Sequence, residues 1–135
     1  MMRKLIAIGA GLVLWFLVAL LAGFIIRATW PAYVSVAEAM TFTLPMKIAR
    51  LAISAVATVA MGFLTARITR SAVVSLIPGI ILLAVFIPEH VTLWNKFPVW
   101  YHLWFLLTLM PLTYLGNWLA RGAMSERSLE SAKAY

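Results

Sequence analysis

The run from Leu5 to Ile26 holds 22 residues without a single charge, and few folds have room for such a segment. Coiled as a helix it would be about 33 Å long, against about 30 Å for the hydrocarbon core of a bilayer. Three more apolar segments follow, at residues 45–66, 71–87 and 99–120. Because the bilayer interior offers no water to backbone N–H and C=O groups, each segment has to be helical. The expected fold is all-α: an integral membrane four-helix bundle of up-down topology. With 64% hydrophobic and 11% charged residues, nothing remains from which to build a second, soluble domain.

Met1-Met2-Arg3-Lys4 ahead of an apolar stretch resembles the start of a signal peptide. Signal cores, however, run to about 15 residues and end at a small-residue cleavage site. Arg27 and Trp30-Pro31 make no such site, so the first span is expected to stay in place.

Eleven basic residues against four acidic ones give a net charge of +7. They are scattered between the spans rather than gathered on one face, so no nucleic-acid partner is expected. Arg3, Lys4, Arg67, Arg70, Arg121, Arg127 and Lys133 fall on one side of the spans, and Arg27, Lys47, Arg50 and Lys96 on the other. The richer side is expected in the cytoplasm, which puts both termini there, in a bacterial inner membrane. The chain has no cysteine, which removes disulfides, thiolate catalysis and thiolate metal sites.

The second span carries a row at four-residue spacing: Arg50, Ser54, Thr58, Gly62 and Ala66. Small side chains on one helical stripe let another backbone come close, so Ser54, Thr58, Gly62 and Ala66 read as a helix-packing ridge. Ala7 with Gly11 and Ala19 with Gly23 form similar pairs in the first span. Thr43 and Pro45 suit the start of a helix. The strictly uncharged part, Leu51 to Ala66, is too short to cross alone, so Arg50 has to lie inside the helix near its outer edge, with Lys47 one turn before it.

Between spans, residues 27–44 are long for a hairpin and apolar for a free loop. A short surface helix starting near Pro31 and a loop packed over the bundle both fit. Pro78-Gly79 in the third span and Pro111 in the fourth are expected to kink their helices. Residues 88–98 read as an outer loop, and 121–135 as a polar, frayed tail.

The outer side would gather Arg27, Lys47, Arg50 and Lys96 among Trp and Tyr residues, a collar suited to lipid phosphates or an acidic partner. Glu89, His90 and His102 could in principle ligate a metal or exchange protons, but their spacing matches no metal motif. The two histidines could also hold a haem between helices. No metal and no cofactor is expected. The span centres hold no ionisable residue, which speaks against proton-coupled transport. Ser54, Thr58, Thr108 and Thr113 are the only hydroxyls deep enough to line a pathway, and such groups more often bond to their own helix.

Phe97-Pro98-Val99-Trp100-Tyr101, Leu109-Met110-Pro111 and Leu115-Gly116, with Arg50, Gly62 and Ala66-Arg67, resemble an uncharacterised bacterial family of small four-span integral membrane proteins. The chain departs from that pattern at Met61 and Asn117, where paired small residues are expected. The resemblance implies the four-span architecture and carries no activity. The expectation is a non-enzymatic accessory or interaction subunit, bound to membrane lipids and to a membrane-protein partner or further copies of itself. A small oligomeric channel or transporter is the alternative, and a haem-, quinone- or pigment-associated protein the third.

Overall fold

The computed structural model describes residues 1–134, and those residues form helices and turns with no strand among them. The helices are α1 (Met2–Thr29), α2 (Pro31–Ala37), α3 (Leu44–Thr69), α4 (Ile77–Thr92) and α5 (Val99–Lys133). A single 3-10 turn, Val74–Leu76, leads into α4. Among the described residues, four helical stretches are long and apolar enough to cross a membrane: Met2–Thr29, Leu44–Thr69, Val74–Thr92 and Val99–Lys133. Leu20, Leu21, Phe24 and Leu107 are among many large apolar side chains left on the outside. Water would penalise such a surface, and lipid does not.

Prolines set several of the boundaries. Trp30 precedes Pro31 and takes φ −129°, ψ 84°, because a proline pushes the residue before it out of the helical region. That break ends α1 and turns the chain into α2, a short helix that starts at Pro31, which is one of the two forms read for residues 27–44. Pro45 sits in the first turn of α3, where the missing N–H has no bond to lose. Thr43 occupies the position ahead of α3 but its side chain makes no capping bond. At the far end Arg70 adopts a left-handed conformation, φ 54°, and its N–H donates to the Ala66 carbonyl at 2.8 Å. The guanidinium Nε of Arg3 donates to the Ile68 carbonyl at 2.6 Å, taking up another of the carbonyls that a helix end leaves unpaired.

Three expectations change. Pro78 is not in a helix interior: residues 71–76 are spent on a turn and the 3-10 segment, so regular helix begins at Ile77 and Pro78 lies in its first turn. The interior proline of α4 is instead Pro88, and the helix runs on through Glu89 and His90 to Thr92, into the stretch expected to be loop. The segment after residue 120 is not frayed either, since α5 continues unbroken to Lys133. It contains no proline after Pro111, which itself lies inside the continuous helix.

Helix α3 is the centre of the assembly and packs mainly on α5 and α1. Thr65 reaches the Ala7 carbonyl (3.4 Å) and Thr58 receives the Trp15 indole (3.0 Å), so α1 and α3 run in opposite directions. Arg50 meets Tyr101 and Gly62 meets Thr113, so α3 and α5 run the same way. Phe86 against Phe105 and His90 against His102 make α4 and α5 opposed.

Candidate functional site

Ser54, Thr58, Gly62 and Ala66 are all buried, and they are spent on contacts within the chain. The Thr58 hydroxyl donates to the Ser54 carbonyl (2.7 Å) while accepting the Trp15 N–H. A Cβ on Gly62 would strike the Thr113 carbonyl oxygen, and one on Gly116 would strike the Val59 carbonyl oxygen. The two glycines therefore let the backbones of α3 and α5 touch, as expected for a small-residue ridge in lipid. On α1 the two small-residue pairs behave differently. Ala7 is fully buried and Gly11 lies against Met61 and Thr65, whereas a Cβ on Gly23 would meet nothing within 4 Å.

The space left beside Ala19 and Gly23 is a cleft of about 210 Å³. Trp15 of α1, Phe86 of α4 and Phe105 of α5 form aromatic walls, and Ser54, Arg50, Tyr33 and Tyr101 supply the polar lining. One liquid water takes about 30 Å³, so the cleft holds a ring or a headgroup but not a whole lipid.

Arg50 is fixed within this cleft by four neighbours. Its Nη1 donates to the Tyr33 hydroxyl at 2.8 Å and its Nε to the Tyr101 hydroxyl at 3.3 Å. Its Cζ lies 4.8 Å from the Phe42 ring centre and 5.9 Å from that of Phe97. None of these partners carries negative charge. A guanidinium has five N–H donors, and two are used, which leaves three. Both phenol oxygens accept from Arg50, and neither hydroxyl proton finds an acceptor among the described residues. The cleft thus offers unspent hydrogen-bond donors and one positive charge between apolar walls, with no carboxylate among the described residues that line it.

Only part of the expected collar assembles here. Lys47 is half-buried in the second turn of α3, while Arg27 and Lys96 are exposed and do not line the cleft. Tyr33 and Tyr101, two of the tyrosines expected in the collar, are instead buried, to 6% and 5% exposure. Their signal was placement: each sits in the first turn of a helix opened by a proline, as Arg50 sits just inside α3.

Beside the cleft lies a second polar pair. His90 and His102 are buried, with Nδ1···Nδ1 at 2.7 Å. The Nε2 of His102 faces the Trp94 carbonyl at 3.3 Å. A carbonyl only accepts, so His102 carries its proton on Nε2 and, when neutral, accepts at Nδ1 from His90. In this arrangement His102 has no lone pair free for haem iron or another metal. Glu89 is exposed while His90, about 100° further round α4, is buried, and no group of three potential metal ligands occurs among the described residues.

No protein family, curated protein or solved structure matches the chain. The likeness to small bacterial four-span proteins therefore rests on the short motifs quoted above.

Proposed function

We propose that this chain is a non-enzymatic accessory subunit of a bacterial inner-membrane assembly, and that its Arg50 cleft holds the acceptor-rich head of an anionic lipid. The observation that carries the reading is the set of unspent donors on Arg50, Tyr33 and Tyr101, which suits a ligand rich in oxygen acceptors. Guanidinium and phosphate match through parallel charge-assisted bonds, and a headgroup can enter such a cleft while its acyl chains stay in lipid. The proposed topology is up-down, with both termini in the cytoplasm. Its support is that Arg3 docks on the end of α3 that carries Arg67 and Arg70, so the basic-rich segments share one end of the bundle.

The ridge from Ser54 to Ala66 is consumed inside the chain, so contacts with a membrane-protein partner or a second copy would use the exposed apolar faces. A hydroxyl-lined pathway has little support. Thr58 is fully buried and donates to its own helix, and the Thr108 hydroxyl donates to the Trp104 carbonyl at 2.7 Å. A quinone is the second reading, favoured by the aromatic walls of the cleft, since its ring carbonyls also accept hydrogen bonds.

Purification of the full chain in mild detergent, followed by lipid mass spectrometry and an absorption spectrum of the organic extract, separates these readings. Anionic phospholipid retained by the wild type and lost from Arg50→Gln and Tyr33→Phe/Tyr101→Phe supports the headgroup site. Equal lipid retention by all three proteins refutes it, and a stoichiometric quinone in the extract replaces it with the second reading.

A further inference from the structure

At the end of the bundle opposite Arg50, a wide cleft of about 650 Å³ opens between the end of α3 and the last turns of α5. Arg67, Arg70 and Arg127 line it, together with Met124 and the hydroxyls of Ser128 and Ser131. Residues 124, 127, 128 and 131 recur at the spacing of one helical face. Glu126 and Glu130, the acidic neighbours on α5, fall off that face and do not line the cleft. Arg67 is steadied by the Phe63 ring, 5.8 Å from its Cζ. The carbonyl end of α3 contributes about half a negative charge, against three full positive ones. Two of those carbonyls already receive the Arg70 N–H and the Arg3 guanidinium.

Depth fixes what can reach this cleft. Helix α5, at 35 residues, is about 52 Å long, well beyond a hydrocarbon core of about 30 Å. Its final dozen residues therefore stand past the core, and they include Arg127, Ser128 and Ser131. The α3 helix stops at Thr69, so the cleft lies where headgroup phosphates lie.

We propose that Arg67, Arg70 and Arg127 form a second anion site, distinct from the Arg50 cleft, which binds a group carrying two phosphate charges. Three guanidiniums without a carboxylate overmatch one phosphate diester and suit two. The hydroxyls of Ser128 and Ser131 add donors, and the width of the cleft admits a two-phosphate headgroup. Such a group can be presented by a diphosphatidyl lipid or by a free diphosphate.

The test uses the full chain in detergent, with tetraoleoyl cardiolipin, dioleoyl phosphatidylglycerol and inorganic pyrophosphate as separate probes, read by native mass spectrometry. Tighter binding of cardiolipin than of phosphatidylglycerol, about tenfold weaker in Arg67→Gln and again in Arg127→Gln, is expected. Pyrophosphate binding with the same dependence would instead identify a free diphosphate as the source and equally support the site. Lys133→Gln removes the same charge from the opposite face of α5 and should leave binding within about twofold. Arg127 lies outside the packed bundle, so its variant isolates binding from folding. Equal affinity for one-phosphate and two-phosphate probes, or an equal loss in Lys133→Gln, overturns the proposal.

Discussion

Replacing Gly62 or Gly116 with alanine tests the central contact of the fold, because the chemistry of a single methyl is set against its geometry. In an ordinary helix interior Gly→Ala stabilises by about 1 kcal/mol through backbone entropy. A Cβ on Gly116 would lie 2.7 Å from the Phe63 backbone nitrogen, whereas ordinary contact begins near 3.4 Å. A Cβ on Gly62 would lie 3.0 Å from the Thr113 carbonyl carbon and 3.1 Å from its Cα. These neighbours are backbone and cannot swing aside, so α3 and α5 must part by at least 3.4 − 2.7 = 0.7 Å. A gap of that size forfeits about a quarter to a half of the dispersion energy of each contact it opens. Overpacking of this kind costs about 1–3 kcal/mol, and after the entropic gain each variant should lose up to about 2 kcal/mol. The double variant should lose less than the sum, because one separation makes room for both methyls. Gly9→Ala and Gly122→Ala, where a Cβ meets nothing within 4 Å, should instead hold or gain stability. Unfolding by dodecyl sulfate titration in mixed micelles, followed by tryptophan fluorescence, ranks all of them. Stabilities of Gly62→Ala and Gly116→Ala equal to that of Gly9→Ala would refute the backbone contact.

Two further substitutions address the buried polar groups. Asn117 is fully buried and neither its Nδ2 nor its Oδ1 meets a partner among the described residues. An orphaned amide costs about 1–3 kcal/mol, so Asn117→Leu should raise stability by about 1 kcal/mol in the same titration, and a clear loss would show that the amide is bonded in the membrane. For the histidine pair, His90→Leu and His102→Leu should each cost about 1–3 kcal/mol by stranding the other ring, while the double variant costs less than the sum of the two single losses. Additive losses would mean that the 2.7 Å contact contributes nothing.

Most of the helices could be read from the chain because lipid leaves a segment such as Leu5–Ile26 no other conformation. Helix ends were harder to place. Pro78 reads as a mid-span break only if the span starts at Ser71, and the start is set by the left-handed Arg70 and the 3-10 turn that follow α3. The reach of α4 through His90 and of α5 to Lys133 had no apolar signature, since both extensions leave the run that hydropathy detects.

The sequence by itself marked four segments long and apolar enough to cross lipid, put Arg50 within α3 near one edge, and set Ser54 to Ala66 on one stripe of small residues. These follow from period and hydropathy, which are local. Tertiary structure alone decided that Gly11 is a contact while Gly23 is an opening, although both are small residues on one helix. It also decided that Tyr33 and Tyr101, 68 residues apart in the chain, bind the same guanidinium, and that Arg67 and Arg127 face one cleft. Which helix comes against which face depends on long-range packing, and a four-residue repeat marks the face without naming its neighbour.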